Sequence, residues 1–271
     1  MNFQIIQPAG FLKNYIKNYC FMESSRCESD MMERVIPTEN IQLMFHYRNP
    51  FIVYHPDTSI TKQPRSIISG LSNSFLDVTT NGEAGVVFIS FYPTSACHFF
   101  RFPLSEIENQ NLDLAEILGP EVRLVEELLY FATSLKEKVS VIENFLIKRY
   151  SPVHSHDSQL IWKAIEIIKM SNVPLNIAAL SESLSTTTKT LERKFAQYLG
   201  KTPKQLIKLL RFQRVLHDFS CNKNFNLTEH AYNNGYFDQA HFIRDFKNFA
   251  GYTPGEFITK YPDFDINSAS C

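Results

Sequence analysis

The chain has 271 residues, a formal net charge of −1, and 44% hydrophobic and 13% aromatic residues, which suits about two domains with well-filled cores. No run approaches the roughly 18 apolar residues of a membrane span, and the N-terminus lacks the pattern of a signal peptide. The five cysteines are odd in number and scattered, which predicts a cytoplasmic chain with no disulfide framework and no metal site.

Strands are predicted for most of residues 34–92. Residues 34–47 and 50–56 are rich in strand-forming side chains, and residues 85–92, GVVFISFY, form a short continuous apolar run. Turn residues separate these runs, and the Asn81-Gly82 pair is a strong turn signal. The pattern predicts a small antiparallel sheet or partial barrel.

Helices are predicted to follow the strands. Residues 122–135 place apolar side chains at helical spacing, and residues 136–150 repeat the pattern. Residues 1–150 are therefore predicted to form an α+β domain. The apolar positions of these helices either pack on the domain's own sheet or pair two chains in a homodimer. These positions are Val125, Leu128, Leu129, Ile142 and Leu146.

We predict no catalytic site, no cofactor and no enzyme activity for this domain. His46 and His55 form no His-x-His pair, and Ser90 and Ser95 lack the Gly-x-Ser-x-Gly turn of a nucleophile elbow. No glycine-rich phosphate loop is present. Six aromatic residues either line a ligand pocket or belong to the core. They are Phe88, Phe91, Tyr92, Phe99, Phe100 and Phe102.

The segment 151–158, SPVHSHDS, is predicted to be a linker, because proline, serine and histidine interrupt the helical pattern. His154 and His156 are interpreted as solvated linker residues. Residues 159–271 show helical patterns without strand signals and are predicted to form an all-α domain.

Capping residues mark the helices at the start of this second domain. Asn176 and Thr187 each precede an apolar-periodic stretch as N-caps. Gly200 can end the helix that Thr187 begins by adopting a left-handed conformation. The pair Thr202-Pro203 opens a long helix, since proline suits the first helical position.

The same plan recurs about fifty residues further on. Asn226 is placed to cap a helix, with Glu229 completing a capping box. Gly235 supplies the turn, and Asp238 and Gly251 cap and end the next helix. Two helices joined by a short turn form a helix-turn-helix, whose second helix can lie in the major groove of DNA.

Two such units in one chain can address successive major grooves, about 34 Å apart. The charge distribution agrees with this interpretation. Residues 1–156 carry 13 basic and 17 acidic side chains, whereas residues 157–271 carry 14 and 11. Within 187–214 there are eight basic residues and one acidic residue, a local net charge of +7.

The residues of both units resemble the signature of the AraC/XylS family of transcriptional regulators. The resemblance covers about 100 residues, 160–260, and agrees in spacing and residue identity. The matches in the first unit are Leu180, Leu191, Arg193, Phe195, Gly200, Pro203 and Arg211. Those in the second are Gly235, Tyr236, Asp238, His241, Phe242, Arg244, Phe246, Lys247, Gly251, Pro254 and Phe257. The first domain is similar, less specifically, to the cupin-like N-terminal region of some family members.

Four residues depart from the family pattern. His230 and Asn234 stand where apolar residues are usual, and Ser181 replaces a usual alanine. Ser185 replaces the turn glycine of the first unit. These departures predict a second unit that is less stably packed and contacts DNA more weakly than the first.

DNA contacts are predicted on the exposed faces of the second helix of each unit. They are Thr188, Lys189, Glu192, Arg193, Gln239, His241, Arg244 and Lys247. Phosphate contacts are predicted for Lys194, Lys201, Lys204 and Lys208. Two alternatives are a merely solvated basic face and, for Arg193 and Arg244, a structural salt bridge within each unit.

The resemblance implies a bacterial transcription factor, expected to be an activator, that binds double-stranded promoter DNA and works with RNA polymerase. The first domain then senses a small-molecule effector or mediates dimerisation. One alternative is an enzyme whose N-terminal barrel acts on a small molecule, with DNA binding secondary. Another is a constitutive DNA-binding protein with a structural first domain.

Overall fold

The computed structural model describes residues 2–24, 32–55, 57–153, 156–171, 175–221, 231–262 and 264. Its strands are β1 (Asn2–Ile6), β2 (Ile16–Ser24), β3 (Glu33–Val35), β4 (Gln42–His46), β5 (Phe51–Tyr54), β6 (Ile60–Lys62), β7 (Ser66–Ser69), β8 (Leu76–Thr80), β9 (Ala84–Phe91) and β10 (Asn111–Asp113). They form a six-stranded sheet in the order β1-β2-β9-β4-β7-β10 and a four-stranded sheet in the order β3-β8-β5-β6. The strands pair antiparallel in both sheets, which are not closed into a barrel.

The six-stranded sheet is covered on both faces. Val87 and Ile89 of β9 belong to the core shared with the helices, whereas Val86 and Phe88 belong to the core shared with the four-stranded sheet. Every residue of β9 is buried. Buried strands of this kind are apolar without alternation, which explains the continuous run GVVFISFY. The predicted α+β domain of a sheet followed by helices is confirmed.

The sheet begins further upstream than predicted. β1 and β2 lie before residue 34, and β2 pairs with β9 at the centre of the larger sheet. Lys17 and Asn18 interrupt the apolar pattern of β2, which concealed this strand in the sequence. Cys20 of β2 is disulfide-bonded, which the prediction of a chain without a disulfide framework did not anticipate, whereas Cys97 and Cys221 are free.

The helices follow the last strand. They are α1 (Leu114–Leu118), α2 (Glu121–Phe131), α3 (Leu135–Arg149), α4 (His156–Met170), α5 (Ile177–Ser183), α6 (Thr188–Leu199), α7 (Pro203–Cys221), α8 (Gln239–Ala250) and α9 (Pro254–Lys260). Short 3-10 helices lie at Gly10–Asn14, Ala96–His98 and Leu104–Ile107. Among the described residues, no helix is long and apolar enough to cross a bilayer.

The predicted caps of the C-terminal helices are confirmed. The side chains of Asn176, Thr187 and Asp238 accept hydrogen bonds from backbone N–H groups in the first turns of α5, α6 and α8. Gly200 and Gly251 end α6 and α8 with φ of 70° and 75°. The predicted capping box of Asn226 and Glu229 lies outside the described residues.

The two predicted domains share packing. One core cluster extends from Leu12 in the N-terminal part to Leu210 in α7. A second cluster joins Ile36 of the N-terminal part to α7, α8 and α9. α3 ends at Arg149 and α4 begins at His156, within the segment predicted as a linker, and the domain boundaries themselves stay predictions.

The apolar positions of α2 and α3 pack mainly on their own domain. Val125, Leu129, Ile142 and Leu146 are buried in the core, and only Leu128 of the five is exposed. These four buried helix positions are therefore unavailable for pairing two chains.

Three of the six aromatic residues that were expected either to line a pocket or to belong to the core are also in this core. They are Phe91, Phe99 and Phe100.

His46 at the end of β4 is a buried imidazole with a single described hydrogen bond. Its Nε2 lies 3.1 Å from Gln63 Oε1, and the ring of Phe51 packs edge-on against it. Burial lowers the pKa of His46 from 6.5 to about 4, which outweighs the opposite effect of the Gln63 hydrogen bond. The side chain is therefore neutral at pH 7.

We expect His46 to make the fold acid-sensitive. The unfolded chain binds a proton below pH 6.5 and the folded chain only near pH 4, so stability falls as the pH drops through this window. The loss between pH 7 and pH 4 should be about 3 kcal/mol larger in the wild type than in His46→Gln, measured by urea unfolding. His55→Gln, at a half-buried position beside Thr61, is the control and should retain the wild-type loss.

Candidate nucleic-acid interface

The first helix-turn-helix unit consists of α5, a short turn and α6. Leu191 and Phe195 of α6 are fully buried against Leu180 of α5 and the surrounding core. Ser181 stands inside α5 and donates its Oγ hydrogen to the Ile177 carbonyl at 2.8 Å, so its hydroxyl is satisfied within the helix. Ser185 in the turn has φ of 52°, a left-handed conformation that glycine adopts more easily.

The second unit has the same plan. Residues 231–233 are helical, Gly235 takes φ of 75° in the turn, and α8 follows. The buried ring of Tyr236 packs on Phe242, with ring centroids 5.2 Å apart. Asn234 replaces an apolar residue but donates its Nδ2 hydrogen to Asp218 Oδ2 at 3.0 Å, which satisfies the amide. His230 lies outside the described residues.

Helix α7 belongs to both units. Leu206 and Leu210 face the core of the first unit, whereas Leu209 and Phe212 face the core of the second. The Phe212 ring stacks on Phe249 of α8 with centroids 4.9 Å apart. Because adjacent residues of one helix enter different cores, α7 fixes the two units relative to each other.

Six of the eight predicted DNA-contacting side chains are exposed. On α6 they are Lys189, Glu192 and Arg193, and on α8 they are Gln239, Arg244 and Lys247. Among the described residues the ion pairs of α6 and α8 involve Lys194, Asp245 and His241, and none involves either arginine. The arrangement therefore gives no support to the alternative of a structural salt bridge.

The other two predicted contacts are half-buried. The Thr188 hydroxyl lies 3.4 Å from Ser181 Oγ, next to the turn of the first unit. His241 Nε2 lies 3.3 Å from Asp245 Oδ2 on the next turn of α8, and its ring lies edge-on against Tyr236. Both side chains thus make contacts within their own unit.

The four lysines predicted to bind phosphate differ in availability. Lys204 at the start of α7 is exposed. Lys208 pairs with Asp245 at 3.3 Å with its side chain 41% exposed, and Lys194 pairs with Asp157. Lys201 is 2% exposed, so the prediction that it contacts phosphate does not fit this structure.

Lys201 is instead bonded to the N-terminal part of the chain. Its Nζ donates to Asn73 Oδ1 at 2.9 Å, to Glu108 Oε1 at 2.9 Å and to Asn109 Oδ1 at 3.0 Å. Burial lowers the pKa of Lys201, and the Glu108 carboxylate opposes this shift. Beside it, a Cβ on Gly200 would lie 2.5 Å from the Leu104 carbonyl oxygen. We call this contact at the end of α6 the lysine clamp.

The end of α8 makes an equivalent contact. Arg34 forms a two-bond ion pair with Asp77, with N–O distances of 2.7 and 2.6 Å, and donates to the Ala250 carbonyl at 3.3 Å. Its guanidinium lies between the rings of Phe75 and Tyr252, 3.8 and 4.3 Å from their centroids. A Cβ on Gly251 would lie 2.3 Å from Arg34 Nη1. We call this contact the arginine clamp.

Both clamps hold the C-terminal ends of the candidate reading helices and leave their exposed faces free. The N-terminal part of the chain therefore constrains the orientation of α6 and α8 without covering them. Sequence reasoning missed this, because the partner residues lie 92, 93 and 128 positions from Lys201 and 216 positions separate Arg34 from Ala250.

A second feature missed from the sequence is Phe237, which precedes the N-cap of α8 and is 85% exposed. Its neighbour Tyr236 fills the core in its place. The only signal in the sequence is the adjacent pair of aromatics before Asp238, of which a single ring can pack under the turn.

The comparisons with known proteins agree with this architecture. Residues 180–260 match the family described as a helix-turn-helix domain, and residues 4–113 match a domain of unknown function. The fold and the site thus define a DNA-binding helix-turn-helix protein. This match agrees with the resemblance of residues 160–260 to the AraC/XylS family of transcription regulators.

Individual relatives are distant. "Histidine kinase P4" of Formosa agariphila is 26% identical over 146 residues, which are 53% of this chain and 10% of the kinase, so the match spans about a tenth of that protein. ToxT from Vibrio cholerae has a TM-score of 0.47 at 13% identity, covering 89% of this chain and 97% of ToxT. An AraC-type regulator from Chromobacterium violaceum has a TM-score of 0.36 at 21% identity, covering 40% of this chain and 96% of that one.

The two turns predict opposite effects of exchanging serine and glycine. Ser185→Gly removes the cost of a left-handed serine and should stabilise the protein by up to about 1 kcal/mol. Gly235→Ser, at the equivalent position of the second unit, should destabilise it by about 1–2 kcal/mol. Urea unfolding of both variants tests this, and a destabilised Ser185→Gly would contradict it.

Proposed function

We propose that this AraC-type regulator binds double-stranded promoter DNA in a sequence-specific manner through α6 and α8. The supporting observation is that two equivalent helices, joined through the shared helix α7, each present an exposed polar face beyond a buried apolar one. The family consists of transcription regulators rather than enzymes, which agrees with the absence of a predicted catalytic motif.

The side chains on these faces match the chemistry of base edges. Arg193 and Arg244 can each donate two hydrogen bonds to guanine, Gln239 can pair with adenine, and Glu192 can accept from cytosine. Lys204 and Lys247 are both exposed, which supports a role in neutralising phosphates. We infer that the more basic first unit anchors the protein and that the second unit, where Asp238 and Asp245 offset the basic residues, binds more weakly.

Substitution of the arginines should reduce specificity as well as affinity. Arg193→Ala and Arg244→Ala are each expected to weaken binding to a selected DNA site by about 1–3 kcal/mol, with less effect on random duplex. The site would first be selected from a random duplex library, and fluorescence anisotropy would measure both affinities. Equal wild-type affinity for the selected and random duplexes would remove the base-reading proposal.

Substitutions of the lysines should affect DNA binding differently, because Lys204 is exposed and Lys201 is buried. Lys204→Ala should weaken binding to all sequences and lower the slope of log affinity against log salt by about 1. Lys201→Met should leave that slope unchanged, because the Lys201 ammonium is enclosed by oxygens of the N-terminal part of the chain. An equal fall of the slope in both variants would show that Lys201 reaches phosphate.

Phe237 extends the proposed reading surface with an apolar group. It lies at the N-terminal end of α8, the end of a recognition helix that reaches base edges in this motif. A phenyl group that reaches the major groove can make apolar contact with the methyl group of a thymine. We infer that the half-site of the second unit contains thymine.

Replacing each thymine of the selected site by deoxyuridine removes its methyl group without changing the hydrogen bonds. One replacement in the half-site of the second unit should weaken wild-type binding about fourfold, which corresponds to one buried methyl group. Phe237→Ala should be insensitive to the same replacement, and Phe3→Ala, an exposed aromatic of β1, should retain the wild-type response. An unchanged response in Phe237→Ala would contradict the contact.

We further propose that the N-terminal part of the chain controls DNA binding, through a small-molecule effector or a homodimer. Leu124, Leu128 and Phe131 form an exposed apolar stripe along α2, which is where a second copy would pack. Activation and contact with RNA polymerase are carried over from the family resemblance. If Leu128→Lys has the same oligomeric state as the wild type, the stripe is not a contact between two chains.

A further inference from the structure

A cavity lies between the two sheets of the N-terminal part of the chain. It encloses about 70 Å3 of space, enough for several water molecules or a small ligand, within a cleft of about 660 Å3 that includes open solvent. Its apolar wall comes from both sheets, with Met44 and Phe88 on the larger sheet and Phe51 and Val78 on the smaller. Phe88, one of the six aromatic residues expected either to line a pocket or to belong to the core, lines this cavity.

The polar part of the wall is uncharged. It consists of amides and hydroxyls, and among the residues that the structure describes no lysine, arginine, aspartate, glutamate or histidine lines the cavity. The buried side chain of His46 contacts the wall residues Gln63 and Phe51, and its pKa of about 4 leaves it neutral at pH 7. A ligand carrying a full charge would lose its hydration here without gaining an opposite charge, which is strongly unfavourable.

One wall residue has an unused hydrogen-bond acceptor. Asn40 is 5% exposed and lines the cavity, and its Oδ1 is buried without a hydrogen-bond partner. The neighbouring Gln42 amide is by contrast satisfied, since its Nε2 donates to Ser90 Oγ at 3.1 Å. A buried acceptor without a donor costs free energy, so this position favours a ligand that brings an O–H or N–H group.

The walls of the cavity are the same chain segments that form the clamps. Residues 35–38 line the cavity, and they directly follow Arg34 of the arginine clamp. In residues 72–77 the roles alternate. Ser72, Ser74 and Leu76 line the cavity, whereas Asn73, Phe75 and Asp77 hold the two clamps.

We propose that this cavity binds an uncharged, largely apolar ligand with a hydroxyl or amide donor, and that the ligand acts on both reading helices at once. A ligand that spreads or draws in residues 72–77 moves Asn73 and Asp77 together. These residues belong to the lysine clamp at the end of α6 and the arginine clamp at the end of α8. The effect of the ligand on DNA affinity rests on the proposed DNA-binding function, whereas the ligand site itself does not depend on it.

The ligand class can be tested with matched probes that differ only in charge. Octanol and octanamide would be compared with octanoate and octylamine, and phenylpropanol and phenylpropanamide with phenylpropanoate and phenylpropylamine, by calorimetry on the full chain at pH 7.5. We expect at least one uncharged probe to bind about tenfold more tightly than its charged counterparts. Equal or tighter binding of the acid or the amine would overturn the ligand class, and failure of every uncharged probe to bind would overturn the site.

The Asn40 contact has a matched control in the same domain. Asn40→Ala should weaken binding of the best alcohol or amide about five- to tenfold, the usual effect of losing one buried hydrogen bond. Asn18→Ala removes another buried asparagine whose Oδ1 has no partner but which does not line the cavity, and it should leave affinity unchanged. Equal losses in both variants would show a general effect on the fold and overturn the placement of the ligand.

The coupling has a readout that does not involve DNA. The bound probe should change hydrogen exchange of the backbone amides at residues 200–202 and 251–253, which follow α6 and α8. Lys201→Met opens the lysine clamp without touching the cavity, and it should abolish the change at 200–202 while retaining probe affinity. Lys163→Met, at an exposed position of α4, should retain the probe-induced change in exchange at residues 200–202. An unaltered exchange response in Lys201→Met would overturn coupling through the clamp.

DNA binding then provides the functional readout. In the wild type the probe should change affinity for the selected duplex at least about fivefold, the lower end of usual allosteric coupling, and in Lys201→Met it should change affinity less than twofold. If the wild type selects no specific duplex, the proposed function fails, whereas the calorimetry and hydrogen exchange still decide the ligand site. If it selects one and the probe changes neither its affinity nor the exchange, the coupling is overturned.

Discussion

The buried ammonium group of Lys201 constrains how the two parts of this molecule meet. Removing a charge from water costs several kcal/mol unless oxygens replace its hydration shell. Here Asn73, Glu108 and Asn109 supply those oxygens together, so the loops that carry them must meet at the end of α6. Gly200 permits the approach, because any side chain would collide with the Leu104 carbonyl. The orientation of α6 is thus constrained by the hydrogen bonds that the buried Lys201 ammonium group requires.

The arginine clamp achieves the same result by different chemistry. Arg34 has a fixed carboxylate partner and two aromatic faces, so its charge is compensated within the N-terminal part before it reaches α8. Lys201 belongs to the helical part and needs partners from the other side. Opening the lysine clamp therefore leaves an uncompensated lysine unless it reaches water, whereas opening the arginine clamp leaves the Arg34–Asp77 pair intact. Releasing the end of α6 therefore costs more free energy than releasing the end of α8.

Local chemistry made much of the helical part predictable. The caps at Asn176, Thr187 and Asp238 and the left-handed glycines at 200 and 251 depend only on neighbouring residues, and the structure has them as expected. The availability of Lys201 depends on residues about a hundred positions away, which a local charge count cannot include. β2 was hidden for a related reason, since its burial comes from pairing with β9 rather than from its own alternation. The exposed face of α6 was predictable, but the contacts at its end were not.

The sharing of α7 between two cores has a consequence for how this protein can evolve. Successive residues of an α-helix are separated by about 100° of rotation, so an insertion or deletion within α7 would turn one unit away from the other and break both cores. If α6 and α8 bind DNA as proposed, the distance and angle between their two half-sites are therefore fixed by the fold. New target sites would then be acquired by exchanging surface residues of α6 and α8 rather than by changing the spacing, and related operators should differ in sequence while keeping one length.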